Sequence, residues 1–139
     1  MPEWPSLDRQ RFVHSHPEPV MAITEAFTLN NVTPSGTTEL SIPRNATYDV
    51  AQPQTTDGVF QLWIDDQTNM TKTEEYAIRI YEKVESGGTS KQVFLATLKG
   101  VQSEIFCTPM LILMNGWDMT IKKIAGTDRA FDASIRQIS

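Results

Sequence analysis

Apolar and polar residues alternate along this chain in short runs, and most runs end at or near glycine, proline or asparagine. Alternation of period 2 sends successive side chains to opposite faces of an extended strand, whereas a helix repeats near 3.6, so the chain reads as β. Ile23, Glu25, Phe27 and Leu29 alternate against Thr24, Ala26 and Thr28 up to Asn30-Asn31, and Thr38 to Ile42 is a short strand closed by Pro43. Gly58 to Asp65 sets Phe60, Leu62 and Ile64 on one face, with Val59, Gln61 and Trp63 on the other.

The clearest element joins two such runs. Tyr76, Ile78 and Ile80 line one face of EEYAIRIYEKV, and Ser86-Gly87-Gly88-Thr89 leads into KQVFLATLKG. Glycine reaches the positive φ that twisted hairpin turns demand, which predicts a hairpin over 76–98. Glu104 to Thr108 and Met110 to Met114 read as short strands bent at Pro109, followed by a turn at Asn115-Gly116. WDMTIKKI and FDASIRQI, separated by AGTDR, predict a second hairpin over 117–138. Asp65 to Glu75, poor in apolar residues, reads as a loop with at most one helical turn.

About eight strands at this spacing predict an all-β fold, an antiparallel β-sandwich of which a jelly roll is one arrangement. Its core should include Phe27, Leu62, Ile64, Ile78, Ile80, Phe94, Leu98, Ile112, Ile121 and Ile135. A chain of 139 residues fits one such domain.

Residues 1–20 differ from the sandwich domain expected over 21–139. Pro2, Pro5, Pro17 and Pro19 are half of the chain's 8 prolines, and proline biases itself and its predecessor toward extended geometry. An extended N-terminal arm is the expectation. Two readings of it stay open: a disordered leader or upstream extension ahead of Met21-Ala22-Ile23, or an arm that orders by docking on a neighbouring subunit. Trp4, Pro5, Leu7, Arg9, Arg11, Phe12 and Val13 are the candidate partner-binding residues.

Composition excludes several function classes. A net charge of −5 gives no basic footprint for nucleic acid, and no apolar run approaches the ~20 residues that span a bilayer. Cys107 is the single cysteine, so no intrachain disulfide forms; beside Ile105 and Phe106 it reads as a buried strand residue in a protein from a reducing compartment. The opening MPEWPSLDRQ lacks a secretion signal's basic and apolar regions, so the acceptor-like Asn31, Asn45 and Asn69 triplets are expected to stay unmodified.

Chemistry is equally sparse. His14 and His16 lie together in the arm, a poor platform for a positioned base, and too few further ligands accompany them for zinc. Asp65-Asp66 and Glu74-Glu75 flank one loop, but adjacent strand residues point to opposite faces, so both pairs read as solvated charges. Phosphate-loop, dinucleotide and serine-elbow motifs are absent from the sequence. The expectation is therefore no enzyme, with no catalytic, cofactor-binding or metal-binding residues. Trp63, Tyr81 and Trp117 could stack on sugars if they shared an exposed face; burial in the core is the competing reading.

The stretch from YEKVESGGTS through KQVFLATLKG to PMLILMNGWDMTIKKIAGTDRAFDASIRQIS resembles small β-structured proteins of tailed-bacteriophage virions, including capsid decoration and cement proteins. The likeness spans roughly residues 22 to 139 in strand and turn placement. It implies a non-catalytic structural protein of the virion, assembled in the host cytoplasm. Its partners would be the major capsid protein or other virion subunits, and it would form homo-oligomers such as trimers. A carbohydrate-binding or tail receptor-binding module would use much the same strands, and is the alternative.

Overall fold

The computed structural model describes residues 22–66 and 70–138. The arm, with its candidate residues Trp4 to Val13 and both histidines, lies outside the described residues. Ten strands follow in order: β1 Ile23–Val32, β2 Leu40–Ser41, β3 Ala46–Thr47, β4 Gly58–Asp66, β5 Glu75–Lys83, β6 Ser90–Lys99, β7 Phe106–Cys107, β8 Leu111–Leu113, β9 Trp117–Ala125 and β10 Phe131–Ile138. Every strand pair is antiparallel.

One sheet runs β1-β10-β4-β7, with β8 also on β4; the other runs β3-β2-β9-β5-β6. If β7 and β8 are taken as one interrupted strand and β3 as an addition, the first strand pairs with the last, the second with the next to last, and so on inward to the β5–β6 hairpin. That nested pairing is a jelly roll. The apolar faces of β4, β10, β5 and β9 meet between the sheets, where Phe60, Leu62, Ile78, Ile80, Met119, Ile121 and Ile135 are sealed from solvent.

The hairpin over 76–98 forms as the alternation requires: Ile78 faces Ala96, Ile80 faces Phe94, and Gly87 takes φ 81° in the turn. The expected hairpin over 117–138 does not. β9 pairs with β2 and β5, while β10 pairs with β1 and β4 in the opposite sheet. Both strands are amphipathic, and their apolar faces oppose each other across the core, so AGTDR is a corner between sheets. Tyr76 and Phe131 meet edge to face at 4.9 Å beneath it, and the Tyr76 hydroxyl donates to the Thr127 carbonyl at 2.6 Å.

An acid pins that corner. Glu74 is 1% exposed, accepts two bonds from Arg129 Nε at 2.7 and 3.0 Å, and also accepts from Thr127 Oγ1 and the Thr71 N–H. The expectation of a solvated charge therefore fails at Glu74, although Asp65 is exposed as expected. Hydrogen bonding from the Arg129 guanidinium is the main reason its carboxyl is held down at about 2. Gly126 makes the close approach possible: its φ is +93°, and a Cβ there would lie 2.4 Å from Glu74 Cγ.

Two other expectations fail in the β7–β8 region. Ile112 is 74% exposed, because in the short strand Leu111–Leu113 it is Leu113 that turns inward. Cys107 is also exposed; it faces Trp63 across the β4–β7 pair and shares that residue's outward face. The bend at Pro109 interrupts the ladder, and buried Thr108 bridges the gap by accepting the Leu62 N–H on Oγ1 at 3.0 Å and donating its own N–H to the Leu62 carbonyl at 2.9 Å. Of the other expected core residues, Phe27 and Phe94 are partly buried against the core and Leu62, Ile64, Ile78, Ile80, Leu98, Ile121 and Ile135 lie within it.

Candidate interaction surface

The two sheets treat their outward faces differently. On β2, β5 and β9 the outward residues Ser41, Arg79, Tyr81, Asp118 and Thr120 are covered by the chain around Glu39 to Gln54. Glu39 accepts from the Tyr81 hydroxyl at 2.7 Å and from Thr120 Oγ1 at 2.5 Å, and lies 3.7 Å from Arg79. Tyr48 stacks on Tyr81 at 4.7 Å. Asp118, 2% exposed, accepts from Ser41 Oγ at 2.8 Å and from the Met119 N–H at 2.9 Å, while desolvation pushes its carboxyl up to about 6.

The outward face of the β1-β10-β4 sheet has no such cover among the described residues. Strand register places Ile23 beside Ile138, Ile138 beside Val59, and Val59 beside Ile112, which makes an apolar row across four strands. Ile23 is 71% exposed, and Met110 next to the row is exposed as well. Further along the strands, Arg136 lies over the Trp63 ring at 4.3 Å, and Trp63 Nε1 donates to Gln61 Oε1 at 3.1 Å. Gln61 in turn donates to the Thr108 carbonyl at 2.7 Å, and Ser134 donates to Glu25. These contacts cross the sheet from β1 to the β7–β8 bend and fix the indole in place.

The Trp63–Arg136 pair divides two shallow depressions. One is apolar, bounded by Ile23, Val59, Met110 and Ile138; the other has Glu25, Asp65 and Asp132 on its walls. The hydrogen bond from Ser134 lowers the Glu25 carboxyl below its ordinary range, so that wall is anionic at neutral pH.

The expected aromatic trio is split by this arrangement. Trp117 is 1% exposed, packs on Phe60 at 4.5 Å and donates from Nε1 to the Thr56 carbonyl at 2.8 Å. Tyr81 belongs to the covered sheet, and Trp63 alone stands on the open face. Arg136, Met110 and the Ile23–Ile112 row escaped attention in the sequence. The phase of FDASIRQI, with Phe131, Ala133 and Ile135 inward, already places Arg136 and Ile138 outward.

Among the described residues no group of three or more His, Cys, Asp or Glu is gathered to hold a metal ion. No helix there is long and apolar enough to cross a membrane.

No protein-family model matches the sequence, and no curated protein matches it. Among solved structures, the chain is similar to the Yersinia pseudotuberculosis-derived mitogen (YPM), with 11% sequence identity, a TM-score of 0.49, and coverage of 84% of this chain and 86% of that one. A likeness at this level bears on neither ligand nor activity.

Proposed function

We propose that this chain is a non-catalytic structural protein of a virion, a decoration or cement subunit that stabilises a shell through contacts with the major capsid protein and with copies of itself. The observation that carries this reading is the outward face of the β1-β10-β4 sheet, where an apolar row runs across the jelly roll, half-buried at Val59 and Ile138 and exposed at its Ile23 and Ile112 ends. Contiguous apolar surface on a soluble domain marks an interaction site, because leaving it in water forgoes ~25 cal/mol for each Å² that a partner would cover. The sequence resemblance to phage virion proteins and the apolar residues of the arm, Trp4, Leu7, Phe12 and Val13, support it further.

The carbohydrate-binding alternative would rest on Trp63. Arg136 lies over its ring at 4.3 Å, occupying ring surface on which a sugar would stack, and Trp117 is withdrawn into the core. Assembly is the reading the geometry favours.

Binding of the purified protein to purified phage capsids, followed by sedimentation and by the heat resistance of the capsid, tests the proposal. Saturable binding that raises the capsid's melting temperature is expected, with loss on deletion of residues 1–20. Absence of binding, or tryptophan quenching by an oligosaccharide that Trp63→Ala removes, would reverse the choice.

A further inference from the structure

We propose that the segment from Glu39 to Gln54 is a cover gated by Asp118: it stays closed over the β2-β9-β5 face in mild acid, while the carboxyl carries its proton, and opens more often toward neutral pH, when the carboxyl is ionised. The proposal concerns a face that the virion reading does not use, and it stands or falls independently of capsid binding.

The fold places this carboxyl where its charge is poorly met. Asp118 is 2% exposed, and both hydrogen bonds it accepts, from Ser41 Oγ at 2.8 Å and from the Met119 N–H at 2.9 Å, fall on Oδ1. Oδ2 is buried without a partner. Arg44 is the cation that acts on it, yet that guanidinium is committed within the cover: Nη1 donates to Gln52 Oε1 at 3.1 Å, Nη2 donates to the Thr47 carbonyl at 2.6 Å, and Nε is buried without a partner. Glu39 disfavours a second negative charge beside it. Tyr48 and Tyr81 also face it, but burial raises both hydroxyls and they stay neutral, while Arg79 is turned to Glu39 at 3.7 Å. A buried charge with so few partners costs free energy that hydration relieves.

Asp118 gains water when the cover lifts, and the cover is tied at few points. β2 and β3 are two residues each, and β2 meets β9 only at Leu40 and Ser41. Ile42, sealed in the core, is the apolar anchor; its N–H donates to the Met119 carbonyl at 2.8 Å, and Gln54 exchanges two bonds with Trp117 at 2.7 and 3.0 Å. A segment held by so short a ladder opens before the whole domain unfolds.

Desolvation holds the carboxyl at about 6 in the closed form against an ordinary 3.8, so the closed form binds the proton more tightly than the open one. Its advantage is whole below 3.8 and is lost as pH rises through 6. Between pH 5 and pH 7 this linkage makes opening about tenfold more frequent.

Amide hydrogen exchange of the full-length protein, corrected for the intrinsic rate at each pH, measures the opening. The Ile42 and Gln54 amides report the cover, and those of Ile78 and Ile80, on a strand paired along both sides, report the core. The cover amides should exchange ahead of the core, with opening that falls about tenfold from pH 7 to pH 5. In Asp118→Asn protein that pH response should vanish. His14 and His16 are retained in the variant, so a response of theirs would survive it. Ser41→Ala removes a donor to the ionised carboxyl and should move the midpoint of the response to higher pH, which gives a second reading should the Asn variant not fold. A flat wild-type profile, a response that survives Asp118→Asn, a midpoint unmoved by Ser41→Ala, or cover amides that exchange no faster than the core would each overturn the proposal.

Discussion

The two outward faces of the sandwich solve opposite problems with similar strands. The β2-β9-β5 face carries polar groups that its own chain covers: Glu39 accepts from Tyr81 and Thr120, and Ser41 donates to Asp118 Oδ1, while Asp118 Oδ2 is buried without a hydrogen-bond partner. The β1-β10-β4 face carries an apolar row whose Ile23 and Ile112 ends, with Met110 beside them, the described chain leaves bare. Covering a polar face requires partners placed to a few tenths of an ångström, which one chain can supply to itself. A bare apolar row needs only shape and area, which a second molecule can supply. The difference makes one face intrinsic to stability and leaves the other open among the described residues.

The sharpest test of that difference is a pair of tryptophans. Trp117→Ala should cost about 3 to 5 kcal/mol, since it empties a core site against Phe60 and orphans the Thr56 carbonyl. Trp63→Ala should cost less, about 1 to 2 kcal/mol, since the half-buried indole gives up its cation–π contact with Arg136 without emptying a core site. Urea denaturation of both variants measures the gap, and equal losses would mean that the open face is part of the core.

Two buried acids sharpen the comparison at the next level of effect. Glu74→Gln should destabilise by about 1 to 3 kcal/mol, because Arg129 loses a charged acceptor at the corner between sheets. The folded Glu74 carboxyl titrates near 2, below its ordinary 4.5, so its stabilisation is whole above pH 4.5 and fades as pH falls toward 2. Thermal melts of the Gln variant should lack that acid-side loss.

Asp118 works in the opposite sense and gives the smallest change. Its folded carboxyl titrates near 6 against an ordinary 3.8, so the ionised form is penalised above pH 6 and stability rises as pH falls from 6 toward 3.8. Asp118→Asn keeps Oδ1 for Ser41 and Met119 and removes the ionisation penalty, but its new Nδ2 lies where Oδ2 has no partner; the two effects oppose, and stability at pH 7 should rise by no more than about 1 kcal/mol. A melting temperature that still climbs between pH 6 and 4 in this variant would assign the effect to another group.

What the sequence revealed, and what it concealed, follows the range of the interactions. The 76–98 hairpin was legible because alternation and Gly87-Gly88 are local signals. AGTDR was misread because a short polar loop looks the same whether its strands pair or cross the core; the deciding contacts, Glu74 with Arg129 and Tyr76 with Thr127, come from far along the chain. Leu111, Ile112 and Leu113 are all apolar, so alternation could not choose which faces inward. The face bearing Trp63 could be inferred from the Phe60, Leu62 and Ile64 stripe. That Ile23, Ile138, Val59 and Ile112 form one row depends on the register of four strands, and no short-range pattern encodes it.

The nested pairing that seats β1 against β10 also decides how the domain would carry a load. Ile23 lies opposite Ile138, and their ladder extends to Val32 opposite Phe131. A pull on Ile23 along the axis of β1 makes the rungs of that ladder slide against one another and resist together. The same pull applied between Ile23 and Ile138 acts on two adjacent ends and parts the rungs one at a time. A load on Ile23 that is opposed by the body of the sandwich therefore meets the domain along its mechanically stronger direction.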